Sequence, residues 1–323
     1  MRIGVIGAGG MGSVHGRLLA SEVVGAELVA IADVAVERAA ALAREVGVDG
    51  VHGDGLELIA SADVEAVVVA SSPGTHEVLV LACLEAGKPV LCEKPLATSA
   101  AAGRRIVEAQ AAGGRRLVDV GFMRRYDDGY RDLKRRLDEG EIGDPLVVHC
   151  VHRNADIPPS FDQRLALTDS VVHEVDVARW LLGEEIAAVT VVAGRPTRHA
   201  PNGVRDPQIV LLETAGGVVV DVESFVRAQY GYDVRCEVVG ETGTLALPVP
   251  AAIARGFEDR FAQAYRDELG AWVSAVQGGT SAGPGAWDGY AASVVTEACV
   301  RSAQTGARTQ VQLATAPRQE RLR

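Results

Sequence analysis

The residues most suited to chemistry lie in two places. Asp169 and His173 stand in the stretch 168–182, where Val172, Val175, Ala178, Trp180 and Leu182 have the spacing of a packed helix. Residues four positions apart on a helix share a face. An acid on the same face as a histidine can orient its ring and tune its basicity, which is what a general base working near neutral pH needs. The same pattern also suits an Asp169 helix cap followed by a core histidine satisfied by hydrogen bonds, and the residues alone leave both open. The second place is the first dozen residues. The apolar run Arg2 to Ile6 enters Gly7-Ala8-Gly9-Gly10-Met11-Gly12, and Leu18-Leu19 follow at helical spacing. Strand, glycine turn and helix open a dinucleotide-binding unit. Gly7 permits the tight turn, Gly9 lets the backbone approach a pyrophosphate, and Gly12 lets the helix lie close on the strand. The free N–H groups at the helix start then hold the phosphates.

An acid belongs about 20 residues further on, where it accepts hydrogen bonds from the adenosine ribose. Asp33 closes the apolar run 28–32 at that distance. Val34-Ala35 beside it supply no cation for a 2′-phosphate, so NAD rather than NADP is expected. Two further strand ends carry polar groups on the same edge. One is Ser71-Ser72-Pro73 with Thr75-His76, and the other is Glu93-Lys94-Pro95. Lys94 is read as facing a cleft, with a solvated lysine before a turn proline as the alternative. Ser71, Ser72 and His76 suit cofactor contact and helix capping equally.

Elements must hold these groups in place. Up to about residue 120 the chain alternates strands at 2–6, 27–32, 66–70, 89–92 and 116–120 with helices at 11–20, 35–46, 75–86 and 98–112. Near-continuous apolar strands predict a buried, doubly wound parallel sheet with the nucleotide at its carboxyl edge. The predicted boundary gives a nucleotide domain at 1–121 and a second domain at 122–323. The second domain opens with a helix at 127–138. Strands at 145–151, 187–193, 207–213, 217–227, 234–239 and 244–247 follow, a large open mixed or antiparallel sheet in an α+β arrangement. A loop is predicted at 154–164, and two helices, 258–276 and 287–304, come last. The charged end, Arg318 to Arg323, is expected to fray.

Composition narrows the class. The chain has 323 residues, 48% hydrophobic and 23% charged, which suits two globular domains. Its 43 acids against 32 bases argue against nucleic-acid or membrane-surface partners. No apolar run is long enough for a membrane span, and the direct entry into the first strand predicts no signal peptide. The five cysteines (Cys83, Cys92, Cys150, Cys236 and Cys299) are scattered, as free buried thiols of a cytoplasmic protein are. They do not group with histidines at ligand spacing, so no metal is expected.

Further motifs stand at Gly121-Phe122-Met123-Arg124-Arg125-Tyr126, Val151-His152-Arg153-Asn154, Asp206-Pro207-Gln208, Tyr230-Gly231-Tyr232-Asp233 and Ala286-Trp287-Asp288-Gly289-Tyr290. With the glycine turn, Glu93-Lys94-Pro95 and Asp169-x-x-x-His173, they make the chain resemble the Gfo/Idh/MocA oxidoreductases, and within them the inositol dehydrogenases. The resemblance covers nearly the whole chain. The segment after Pro248-Val249-Pro250 departs from it by being shorter. The resemblance implies a Rossmann domain followed by an α+β substrate and oligomerisation domain. It also implies an NAD-dependent oxidation of myo-inositol to the 2-keto inositol, and a tetramer. It implies a catalytic group of Lys94, Asp169 and His173, with Arg124, His152, Asn154 and Tyr232 meeting substrate hydroxyls. Gly7, Gly9, Gly10, Met11, Gly12, Asp33, Ser71, Ser72, His76, Glu93 and Lys94 would line the cofactor. Alternatives are a dehydrogenase of another inositol isomer or a pyranose sugar, and a nucleotide-sensing regulator without chemistry. A sensor has no need to keep Lys94, Asp169 and His173.

Overall fold

Near-continuous apolar runs lie side by side in the computed structural model, which describes residues 1–158, 160–200, 203–281 and 283–317. The predicted frayed end, Arg318 to Arg323, and Pro159 of the predicted loop lie outside the described residues. Two compact units are formed. The first combines Met1–Met123 with Tyr265–Tyr290, and the second combines Arg124–Ala264 with Ala291–Thr315.

The first unit holds six parallel strands: β1 (Arg2–Ile6), β2 (Glu27–Ala32), β3 (Gly50–His52), β4 (Ala66–Val69), β5 (Val90–Glu93) and β6 (Val118–Gly121). Their order is β3-β2-β1-β4-β5-β6. The connecting helices are α1 (Gly10–Ser21), α2 (Val36–Val46), α3 (Gly55–Ala60), α4 (Pro73–Glu85) and α5 (Ala100–Gly113). Ile3, Val5 and the whole of β4 are buried, as a sheet covered on both faces requires. This is the predicted doubly wound sheet. The order reverses between β1 and β4, so their carboxyl ends open a crevice. Two elements were not predicted. β3 is a three-residue edge strand with no fully buried residue, so it shows no apolar run. α3 has six residues and depends on its cap, Asp54, whose carboxylate accepts the Leu56 N–H at 2.8 Å.

The second unit is built on a seven-stranded mixed sheet. Its strands are β7 (Pro145–Arg153), β8 (Ile186–Ala193), β9 (Gln208–Thr214), β10 (Val219–Phe225), β11 (Asp233–Gly240), β12 (Thr244–Ala246) and β13 (Thr309–Gln310), in the order β12-β11-β7-β10-β9-β8-β13. β7 and β10 are parallel and every other neighbouring pair is antiparallel. In β10, Val220 and Val222 are fully buried while Val219 is exposed, the alternation of a sheet with one covered face. Helix α6 (Asp128–Asp138), the short α7 (Gln163–Leu165) and α8 (Val172–Leu182) belong to this unit. The predicted single α-helix at 168–182 is in fact a π-helical turn over Ala166–Val171 that leads into α8. The Thr168 hydroxyl donates to the Arg164 carbonyl at 3.1 Å, and such back-bonding competes with the regular ladder.

The last two helices, α9 (Phe257–Gln277) and α10 (Ala286–Thr305), belong to both units. The chain re-enters the first unit at Tyr265 and leaves it after Tyr290, whereas the sequence reading runs 122–323 without a break. Within the first unit the returning segment is tied down. The Val120 N–H donates to the Pro284 carbonyl at 2.9 Å, and Gly289 lies so close to Leu96 that an added Cβ would fall 2.6 Å from the Leu96 Cβ.

The glycine turn gives a test of the packing. Gly7 has φ +102°, and a Cβ there would lie 2.5 Å from the Ala70 carbonyl oxygen. A Cβ on Gly12 would collide with the Gly7 carbonyl, whereas one on Gly10 would meet nothing within 4 Å. Gly12→Ala is therefore expected to cost about 1–3 kcal/mol or more, because backbone cannot yield as a side chain can. Gly10→Ala is expected to be close to neutral. Thermal unfolding of the two apoproteins separates the cases.

Candidate active site

In the first unit, part of the expected nucleotide set lines one cavity of about 380 Å³, and Gly10, Met11, Gly12, His76, Glu93 and Lys94 are not among its lining residues. Gly7, Gly9, Asp33, Ser71 and Ser72 line it, joined by Arg38, Asp54 and Thr75. Its floor is the carboxyl edge of β1 and β4. The Asp33 Oδ2 accepts the Ala8 N–H at 2.8 Å, and its Oδ1 accepts the Ala35 N–H at 2.8 Å. The carboxylate is thus fixed between the glycine turn and the start of α2. Helix α1 begins at Gly10 with no side-chain cap and no acid in its first turn, and a Cβ on Gly9 would meet nothing within 4 Å. An open helix start without competing anions suits a pyrophosphate. The residues present therefore fit a dinucleotide.

Ser71 and Ser72 differ in their partners. The Ser71 hydroxyl bonds the Thr75 hydroxyl at 2.7 Å, whereas Ser72, the cap residue of α4, makes no side-chain cap bond. His76 is buried and faces two carbonyls, Pro95 at 2.9 Å from Nδ1 and Ser71 at 3.0 Å from Nε2. Burial pushes its imidazole below the ordinary value, against the pull of both carbonyls. His76 therefore braces the turn after β4 against the turn after β5. A second brace holds Lys94 from the other side. Buried His15 donates from Nε2 to Glu93 Oε1 at 2.8 Å, and Glu93 Oε2 accepts the Lys94 N–H at 3.1 Å. Tyr265 sets its ring edge-to-face with His15, 6.0 Å between centroids. Lys94 itself is half-buried.

In the second unit four predicted residues come together around one that was not predicted. Glu174, at the start of α8, is 1% exposed. It pairs with the equally buried Arg124 and lies 2.9 Å from His152 Nδ1. Burial pushes the Glu174 carboxyl up, but Arg124 and then His152 outweigh it, so the group lies below its ordinary value. An ionised carboxylate only accepts and a guanidinium only donates. His152 Nδ1 thus faces both this carboxylate, at 2.9 Å, and an Arg124 nitrogen, at 3.3 Å; with its proton on Nδ1 the ring donates to the nearer Glu174. The Tyr232 hydroxyl is 3.5 Å from Arg124, its ring is edge-to-face with His152 at 5.7 Å, and the His173 ring is 6.2 Å from that of His152. Arg124 is spent on Glu174 and on the face of Phe261, 5.7 Å away. Its effect on a ligand would pass through His152 and Tyr232.

Asp169 is half-buried within the π-helical turn, a feature often found at functional sites. Asn154 follows β7, its N–H donating to the Phe225 carbonyl at 2.9 Å and its carbonyl accepting the Ala228 N–H at 2.8 Å. The Asp206 motif is structural: its two carboxylate oxygens accept the Val226 and Arg227 N–H groups at 2.9 and 3.0 Å. Among the described residues, no group of three or more His, Cys, Asp or Glu is placed to hold a metal ion. Sequence reasoning missed Glu174, His15 and Arg38. For Glu174 a signal was present, since a carboxylate among Val171, Val172 and Val175 must find a buried cation.

The comparisons agree on a family. Residues 1–122 match the model described as the GFO/IDH/MocA oxidoreductase family, NAD-binding Rossmann fold, and residues 130–246 match the GFO/IDH/MocA C-terminal domain. The chain is 52% identical to inositol 2-dehydrogenase 1 of Saccharopolyspora erythraea over 98% of both chains. It is similar to the crystal structure of myo-inositol dehydrogenase from Lactobacillus casei in complex with NAD(H) and myo-inositol, with a TM-score of 0.95, 36% identity and 98% of both chains covered. It also resembles scyllo-inositol dehydrogenase from Lactobacillus casei with bound NAD(H) and scyllo-inositol, with a TM-score of 0.88, 26% identity, and 96% and 99% covered.

The buried triad can be tested by itself. Arg124→Gln leaves the Glu174 charge buried and unpaired, which is expected to cost about 3–5 kcal/mol of stability. Because the folded value of Glu174 lies below its ordinary 4.5, the stability it adds is present above 4.5 and is lost as the pH falls through the folded value. The stability gap between wild type and Glu174→Gln should therefore be widest near neutral pH and should narrow on acidification. Urea unfolding across that range checks both statements.

Proposed function

The chain belongs to the Gfo/Idh/MocA family of oxidoreductases, and we propose that this NAD-dependent dehydrogenase oxidises one ring hydroxyl of myo-inositol to the 2-keto inositol, the first step of inositol catabolism. The observation that carries the substrate reading is the buried polar cluster of His152, Tyr232 and His173. A polyol offers many hydroxyls, and a site that selects one must supply several fixed donors and acceptors. Glu174 and Arg124 hold the His152 ring in place, so a hydroxyl meets a fixed imidazole there. Asn154 supplies a further amide.

The Gly7 to Gly12 turn and Asp33 would hold NAD, which when bound would supply the acceptor for the carbon-bound hydrogen and its two electrons. The chain's own residues must deal with the hydroxyl proton, which does not leave unaided at neutral pH. His173 takes it as general base. Asp169 orients the ring and favours its protonated form after transfer. Lys94 stabilises the developing alkoxide, which is worth most where water is excluded. Its main chain is held by Glu93, and His15 holds Glu93.

Assembly is proposed to be a tetramer. The uncovered face of the seven-stranded sheet carries Val192, Ile209 and Val219, all exposed, beside the pair His149–Asp221 and Arg153, which chelates Glu223. A broad face of mixed apolar and paired charges is commonly covered by another subunit. All five cysteines are free and buried, which supports a reducing compartment such as the cytoplasm. Among the described residues, no helix is long and apolar enough to cross a membrane.

Following NADH formation with a panel of inositol isomers and pyranose sugars tests the substrate. Myo-inositol is expected to give the highest kcat/KM, and faster turnover of scyllo-inositol or a pyranose would overturn that assignment. Absence of turnover with every compound would favour the sensor. His173→Ala is expected to lose roughly 10²–10⁴-fold in kcat, and Lys94→Ala to lose severely as well. Both should still bind NAD in a titration, because neither holds the pyrophosphate. Light scattering at micromolar concentration should give several times the 33.8 kDa chain mass, and a monomer would end the assembly proposal.

A further inference from the structure

The residues next to Asp33 in sequence offer no cation, but the fold supplies one. The first turn of α2 carries Arg38 back over the cavity, where its Nη2 lies 3.1 Å from the Asp33 Oδ1. Among the described residues that line the cavity, Arg38 is the one cation, and Asp54, the other carboxylate there, is occupied in capping α3. The two partners are held very differently. Asp33 is 9% exposed and is pinned by the Ala8 and Ala35 N–H groups. The Arg38 side chain is 58% exposed and touches Asp33 through one nitrogen, so most of its five N–H donors remain turned to solvent.

We infer that Arg38 is a latent 2′-phosphate site which Asp33 holds in check, so that the Asp33–Arg38 pair selects between NAD and NADP. This rests on the cavity being the adenosine end of the cofactor site. With Asp33 ionised, a 2′-phosphate meets a fixed carboxylate at the position where a ribose hydroxyl would donate, and Arg38 is already partly neutralised. With the charge at Asp33 removed, the same phosphate meets a free guanidinium, whose planar fork matches phosphate oxygens. Asp33 therefore acts twice against NADP, by repulsion and by occupying its only nearby cation among the lining residues. One substitution reverses both effects.

The adenosine end can be read without turnover, by calorimetric titration with adenosine 5′-monophosphate and adenosine 2′,5′-bisphosphate. The wild type is expected to prefer the monophosphate. Asp33→Asn keeps a side-chain oxygen for the Ala8 N–H and is expected to raise bisphosphate affinity by roughly tenfold or more, the contribution of a charge-assisted bond to phosphate. That gain should shrink at high salt. Adding Arg38→Ala should remove most of it while moving monophosphate affinity far less. Should Asp33→Asn fail to fold, Arg38→Ala alone leaves both main-chain bonds of Asp33 intact and should still lower bisphosphate affinity relative to monophosphate affinity. Equal bisphosphate binding by Asp33→Asn and the double variant overturns the inference while leaving the adenosine reading in place. If no variant changes the affinity for either probe, the adenosine reading itself falls, and the inference falls with it.

Discussion

A carboxylate with almost none of its surface in water cannot remain charged unless the chain surrounds it with partners, and the second unit is arranged around meeting that demand at Glu174. The desolvation cost of a buried ion is several kcal/mol. Arg124, from the turn at Met123–Tyr126, and His152, near the end of β7, together outweigh it. Two stretches far apart in sequence are thereby locked to the first turn of α8, where His173 sits one residue before Glu174. The rest of α8 repeats the device. Buried Asp176 takes two bonds from Arg125, at 2.5 and 2.9 Å, and buried Arg179 gives two to Glu185, at 2.7 and 2.9 Å. A helix pinned by three charged pairs holds its side chains in one orientation, which is the condition for a base to be useful.

The first unit solves a different problem with different means. It must leave main-chain N–H groups open to an anion without burying them unpaired, and it does so with glycines rather than charges. Gly12 lets α1 lie against the Gly7 carbonyl, and Gly9 keeps the helix start clear. Around Lys94 the braces are a histidine against two carbonyls on one side, and a histidine through the Glu93 carboxylate on the other. Both act on the main chain of the turn, so they fix where the lysine emerges.

Much of this was legible in the sequence, for reasons that can be named. β1, β4 and β5 show as apolar runs because they are buried on both faces, and β10 shows period-two alternation because one of its faces is not. The glycine turn was legible because backbone conformation there admits little else. What stayed hidden was either too short or too remote. β3 lacks an apolar run, α3 is held by one cap, and the π-helical turn at Ala166–Val171 has no period of its own to detect. Arg38 was passed over because only the helical turn of α2 brings it back to Asp33. Arg124 was read as a group that touches substrate, and its burial against Glu174 was not legible because the two lie 50 residues apart.

The central claim is that His173, in a cluster organised by Glu174, removes the hydroxyl proton. The most direct measurement is kcat/KM for myo-inositol against pH in the wild type and in His173→Ala. In the wild type the rate should fall on the acid side as the base becomes protonated, with an apparent pKa in the range of a histidine, about 6.5 before perturbation. In His173→Ala that acid limb should disappear from a much slower reaction. An acid limb that persists unchanged in the variant, at near-normal turnover, would contradict the account and assign the base to another residue.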